Sequence, residues 1–180
     1  MKWNPRRKVT FAFLAGGCAD RLREVLMLAV TLILCFPIQG SASSFTVNKN
    51  GTVTDSRTGL VWQGGDSFIE LKKGLNWYEA LEYVEKKNLK NFAGHKDWRL
   101  PTLDELEALW DSTRPSRSKD GEAIGLPEGF TDGGSYYLWT IDEKGLDNAW
   151  YFGLGQKEKY FNLKDLADLE QGIRMVRKQQ

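Results

Sequence analysis

Ten residues, Asp97-Trp98-Arg99-Leu100-Pro101-Thr102-Leu103-Asp104-Glu105-Leu106, constrain the fold more than any other stretch of the chain. Pro101 fixes its own φ and pushes Leu100 towards extended geometry. Thr102 is then placed to cap a helix, its hydroxyl accepting a free backbone N–H of the first turn. Glu105, three residues on, is placed to reach back to the Thr102 N–H, which completes a capping box. Asp104 and Glu105 add negative charge at the positive end of the helix dipole. Leu103, Leu106 and Trp110 follow at helical spacing, with Leu109 beside them, so one face is apolar. The stretch predicts extended chain, a sharp corner, then a helix over 103–111.

The N-terminal segment reads as a leader. Val25–Phe36 is a continuous apolar run broken by one threonine, preceded by Arg21 and Arg23 and ended by Pro37. It is short for a bilayer span and suits the apolar region of a signal peptide. Gly40-Ser41-Ala42 then predicts cleavage after Ala42, so residues 1–42 are expected to be a signal peptide and 43–180 one domain. An uncleaved membrane anchor is the alternative, and any membrane contact is expected through this segment alone. Of 25 Lys/Arg and 24 Asp/Glu in the chain, the 138 residues after the leader keep 19 and 22, a net charge of −3. That excludes the basic footprint of a nucleic-acid-binding domain. Both cysteines, Cys18 and Cys35, fall in the leader, so the exported domain has no disulfide and no thiolate. Its stability is expected from a packed core that uses Trp62, Trp77, Trp98, Trp110, Trp139 and Trp150.

Along the domain, Phe45–Val47, Thr52–Thr54 and Leu60–Gln63 alternate as strands, and Asn50-Gly51 is a strong hairpin pair. Residues 64–74 read as a polar connector around Phe68-Ile69. Asn76 is placed to cap a second helix, with Glu79 at the capping-box position and Trp77, Ala80, Leu81 and Val84 on one face. Residues 112–134 show no period and are rich in Gly, Pro, Ser and charge. A loop of this length inside a compact domain is expected to be functional or disordered. Tyr136–Thr140, Ala149–Leu154 and Tyr160–Leu163 are aromatic-rich strands, and Ile173–Arg177 alternates as a closing strand. The pattern is α+β: two helices on small antiparallel sheets, with a long irregular loop.

Six segments in order carry a resemblance: Gly51–Asp55 with Thr58–Trp62, Trp77 with Ala80-Leu81, Asp97–Thr102 with Glu105-Leu106, Tyr137–Thr140, Ala149–Tyr151, and Ile173–Arg177. Together they resemble the Lcl C-terminal domain family, named for a bacterial collagen-like adhesin. The resemblance implies a C-type-lectin-like fold. It is more remotely similar to the formylglycine-generating enzyme group, which also has an Arg-Leu-Pro-Thr-x-x-Glu segment. It implies Trp98, Arg99, Pro101, Thr102, Glu105, Trp139, Trp150 and Arg174 as structural motif residues. In the adhesin it implies sulfated-polysaccharide binding by a trimer through a basic surface. This chain departs from that: the domain is acidic, no collagen-like repeat is present, and Met175 stands where the family usually has a cysteine.

Catalytic chemistry has little to draw on. The paired cysteines of formylglycine-generating enzymes are missing from the domain, and His95 is its one histidine. No G-x-S-x-G elbow occurs. No cofactor or metal site is expected, because the acids of the loop and the following turn lack a sugar-lectin calcium pattern. Arg99 either binds a ligand anion or pairs with Glu105 or Asp97, and the pairing is the favoured reading, since an unpaired buried charge is costly. Arg174 and Arg177 are read the same way. For a ligand, Tyr136 beside Arg114, Arg117 and Lys119 is the best surface, suited to stacking and hydrogen bonding with a sugar. The expectation is an exported binding module for a polysaccharide or an envelope protein, not an enzyme. The alternatives are an enzyme or accessory of the sulfatase-modifying type with altered chemistry, and a structural envelope subunit.

Overall fold

A computed structural model describes residues 44–180, and the leader readings lie outside the described residues. Three short strands come first: β1 (Phe45–Val47), β2 (Thr52–Asp55) and β3 (Leu60–Gln63). The β1–β2 turn contains Gly51 at φ 80°, the left-handed conformation that the Asn-Gly pair predicts. Strand β9 (Val176–Lys178) returns from the far end of the domain and pairs with β3, which gives an antiparallel sheet in the order β1-β2-β3-β9. A second antiparallel sheet is formed by β6 (Tyr137–Lys144), β7 (Asn148–Gly153) and β8 (Glu158–Leu163), with a register shift between Trp139 and Glu143.

Among the described residues, three α-helices and a 3-10 turn at Phe92–Gly94 join these sheets. The connector after β3 is not irregular throughout: Ser67–Leu71 forms a short helix, α1. Asp66 is the reason, because its carboxylate accepts the Ile69 N–H at 3.1 Å. Its aspartate cap, rather than any apolar period, makes this turn helical. Helix α2 (Trp77–Leu89) and helix α3 (Leu103–Leu109) start with complete capping boxes, at Asn76/Glu79 and Thr102/Glu105. Helix α3 stops at Trp110, earlier than the apolar spacing suggests, because Asp111 N–H turns away to the Gly125 carbonyl.

The core has two halves separated by shared strands. Antiparallel strands point successive side chains to opposite faces. Val61 therefore enters the half built on α2, with Trp77, Ala80, Trp98, Trp139, Tyr151 and Met175. Its neighbours Leu60 and Trp62 enter the other half, with Leu106, Leu109, Leu138, Phe152 and Val176. Strands buried on both faces lose the clean polar alternation of a half-exposed sheet.

Residues 112–134 correct the expectation of a long irregular loop. They include a two-stranded ladder, β4 (Ser116–Arg117) with β5 (Ala123–Ile124). Ile124, Leu126 and Phe130 from this segment are buried in the second half of the core. The segment is the cover of that half. Its lack of period follows from hydrogen bonds that redirect it, including the backbone bond from Gly125 N–H to Leu154 O at 2.8 Å and the side-chain bond from Ser116 Oγ to Leu126 O at 3.0 Å. Trp150 also differs from a core residue: it is half-buried and meets Phe161 edge-on, with centroids 5.5 Å apart.

Leu126→Ala is expected to cost about 2–5 kcal/mol, the range for a buried leucine. Thr102→Ala, which removes one cap, is expected to cost about 1 kcal/mol. Urea unfolding of both variants checks the order. A Leu126→Ala loss under that of Thr102→Ala would contradict the segment's role as core cover.

Candidate functional site

The corner residues are committed to structure. Arg99 grips Glu105 with both ends of its fork, Nη1 to Oε2 at 2.8 Å and Nη2 to Oε1 at 2.6 Å. Glu105 Oε2 also accepts the Thr102 N–H at 2.9 Å, so one carboxylate closes the cap and holds the arginine. Burial pushes the Glu105 carboxyl up, but the Arg99 and Thr102 bonds outweigh it and hold it below the usual range. Trp98 is buried, and its indole N–H donates to Phe92 O at 2.9 Å. Trp139 is buried with its indole N–H on Leu75 O at 2.8 Å. Arg174 is fully buried. Its Nη1 donates to Gln63 O at 3.0 Å and to Gly64 O, and its guanidinium lies 4.9 Å from the Phe130 ring centre.

The four surface residues do not all converge. Tyr136 is half-buried and lies against Gly155, where a Cβ would sit 1.8 Å from the tyrosine hydroxyl. Arg114 reaches the same glycine, Nη1 to Gly155 O at 3.4 Å. Arg117 is exposed on β4, where its backbone N–H donates to Asp132. Lys119 pairs with Asp120 at 2.8 Å and Glu170 at 2.5 Å, and covers the Phe68 ring. The structure therefore joins Tyr136 and Arg114 and gives Lys119 acidic partners of its own.

The described residues form several cavities, one of about 220 Å3 beside α2 at Leu71, Leu75, Glu79 and Tyr83, and two nearer the corner and the hairpin. One of these two, of about 470 Å3, lies between α2 and the corner and is lined by Leu81, Val84, Leu89, Trp98, Leu100 and Ile141 with charged groups at its margin. The other, of about 220 Å3, has mostly polar residues in its lining, among them Asn48, Asn50, Thr52, Thr54, His95 and Arg177, with Val61 as an apolar wall. Its origin is the sheet register. Thr54, Val61 and Arg177 stand in one row across β2, β3 and β9, and paired residues share a face. On β3 that face is buried by core. On β2 it continues as Thr52 and Thr54, and the Asn91–His95 turn approaches the hairpin through a long Asn50 Nδ2 to Ala93 O contact at 3.5 Å.

Arg177 is only 3% exposed, and its Nε donates to Asp97 Oδ1 at 2.8 Å. Its Nη2 is sealed from solvent and has no hydrogen-bond partner. The hydrogen bond from Arg177, with its charge, holds the Asp97 carboxyl below the usual range against burial. The sequence assigns Arg177 a structural role and Asn50 to a hairpin turn. The available signal was the Thr52-Val53-Thr54 alternation, which puts two hydroxyls on one face.

Fold and site define a small mixed α+β domain of antiparallel sheets and few helices, with a polar cleft beside its N-terminal hairpin. Among the described residues, no group of three or more His, Asp or Glu side chains is placed to hold a metal, and no helix is long and apolar enough to cross a membrane. The chain belongs to the Lcl C-terminal domain family, whose sequence model matches residues 51–177. No curated protein matches it.

Asp97 and Glu105 both have folded-state carboxyls depressed below their unfolded values. Their contribution to stability is complete above the unfolded carboxylate range, near about pH 4, and is lost as pH falls through the lower folded values. The melting temperature is expected to drop on acidification through that window. Glu105→Gln is expected to flatten the drop while lowering stability at neutral pH. An unchanged acid slope in Glu105→Gln would contradict the pairing.

Proposed function

We propose that the chain is an exported binding module, periplasmic or extracellular, that recognises a polysaccharide or an envelope protein and performs no chemical step. The polar cleft carries this reading. Amide and hydroxyl side chains around a buried arginine suit reversible hydrogen bonding to a hydroxylated ligand. The architecture fits a C-type-lectin-like arrangement, with the N-terminal hairpin strands and the last strand β9 joined in one sheet and α2 and α3 packed on opposite core halves. The family name supports a surface or adhesin-like setting. The net charge of −3 after the leader argues for a ligand recognised by hydrogen bonding rather than by a basic field.

The test is a glycan array together with a pull-down from bacterial envelope extract, using the full chain with its folding checked by circular dichroism. Saturable binding to a glycan, or specific capture of an envelope protein, is expected. Blank results in both with folded protein would remove the reading.

A further inference from the structure

We propose that the cavity between α2 and the Leu100-Pro101 corner binds a small uncharged molecule whose body is hydrocarbon. It shares no lining residue with the polar cleft, so it is a second site with a different ligand chemistry.

The walls come first. Leu81, Val84 and Leu89 line it from α2, Trp98 and Leu100 from the extended stretch before the proline, and Ile141 from β6. Val84, Trp98 and Leu100 are buried and form its floor, while Leu89 and Ile141 are 76% and 39% exposed and offer apolar surface for a ligand to cover. Single exposed leucines are ordinary on a protein surface, but two large apolar side chains beside one cavity with an apolar floor are the features of a ligand site. The volume of about 470 Å3 lies within the roughly 300–1,000 Å3 of small-molecule sites.

Hydrogen bonds hold the walls in place. On α2, Asn88 donates to Trp98 O at 2.8 Å and accepts the Trp98 N–H at 2.9 Å. On β6, the Ile141 N–H donates to Pro101 O at 2.8 Å. Both sides of the cavity are thus tied to the corner that supplies its floor. A site formed in advance loses little ordering entropy when it is filled.

The polar groups of the lining select the ligand. Asn88 is engaged by the Trp98 backbone. The Trp98 indole N–H donates to Phe92 O at 2.9 Å, and Arg99 gives Nη1 to Leu100 O at 3.0 Å besides its fork on Glu105. A hydroxyl or amide pressed among these groups gives up its bonds to water with no waiting partner, which is costly. Two further charges line the cavity, Glu85 and Lys96, both exposed and opposite in sign. With Arg99 balanced by Glu105, the lining has no net charge to draw an ion of either sign. A hydrocarbon body has no bonds to water to give up, and it gains by burying Leu89 and Ile141.

The experiment is an NMR titration of the 15N-labelled full chain with N-phenyl-1-naphthylamine, an uncharged aromatic probe. Parallel titrations use 1-anilinonaphthalene-8-sulfonate, a similar body with an anionic group, and 1-naphthylmethylamine, a cation at neutral pH. The uncharged probe is expected to shift the Val84, Leu89, Trp98 and Ile141 amides saturably, with a Kd of about 0.1 mM and both charged probes weaker. Ile141→Trp puts a larger ring at the mouth and is expected to weaken binding about tenfold. Leu89→Gln removes apolar contact at the most exposed wall position without entering the core, so it serves if Ile141→Trp lowers the melting temperature, and it too is expected to weaken binding. No saturable shift, shifts confined to residues away from the cavity, tighter binding of a charged probe, or wild-type affinity in both variants would overturn the proposal. Sedimentation of the free chain tests the other occupant. A monomer is expected, and a dimer that Ile141→Trp dissolves would give the cavity to a second copy and overturn the small-molecule assignment. A blank glycan array leaves this site standing, and a blank titration leaves the glycan reading standing, so the two fail separately.

Discussion

The Arg99–Glu105 fork across the Leu100-Pro101 corner is the interaction on which the rest of the domain depends. It acts over six residues, yet it sets the direction of two long connections. With the corner held, the Arg99 backbone exchanges a pair of bonds with Val176, each 3.0 Å, and so joins the strand that closes the first sheet. One residue past the bend, Pro101 O accepts the Ile141 N–H at 2.8 Å, and Leu103 N–H meets Asp142 Oδ2 at 2.6 Å. Both are tethers to β6 in the second sheet. Asn88, near the end of α2, bonds to the N–H and the carbonyl of Trp98 at 2.9 and 2.8 Å. A single proline corner thus ties two sheets and two helices. Arg99 and Glu105 are consumed by that task.

Holding the corner still allows a core divided by its own strands. Val61 and Trp62 are adjacent in sequence but face different halves, as do Leu138 and Trp139, and Tyr151 and Phe152. Neither half is large. Each needs a cover, and α2 and α3 cannot supply all of it. The segment between α3 and β6 completes the second half with Ile124, Leu126 and Phe130. Arg174 links this cover to the first sheet, with its guanidinium near the Phe130 ring and its Nη1 on carbonyls of the β3 end. Burial lowers its pKa, partly offset by Asp66, whose carboxylate lies 4.0 Å away. Such an arginine organises the interior through backbone carbonyls, while its buried Nε and Nη2 make no hydrogen bond.

The same division explains where the polar cleft lies. The face that buries Val61 extends past the edge of α2's coverage on β2, and there the side chains become threonine and asparagine. The cleft is a region where a core face changes chemistry without being capped by a helix. Arg177 stands at that boundary, with Nε on Asp97 and Nη2 sealed from solvent without a partner.

What the sequence determined by itself is local. Two capping boxes, the Asn50-Gly51 hairpin, the proline corner and most strands were legible, because each depends on residues no more than about four positions apart. The Arg99–Glu105 pair was legible for nearly the same reason. What only the tertiary structure decided is which side of each strand meets which half of the core, that an aperiodic segment is a core cover, and which distant partner each buried arginine meets. Arg174 finds Gln63 across 111 positions, and Arg177 finds Asp97 across 80. No local period records such meetings. They arise when sheets close and burial requires each polar group to find the nearest partner in space, whatever its distance along the chain.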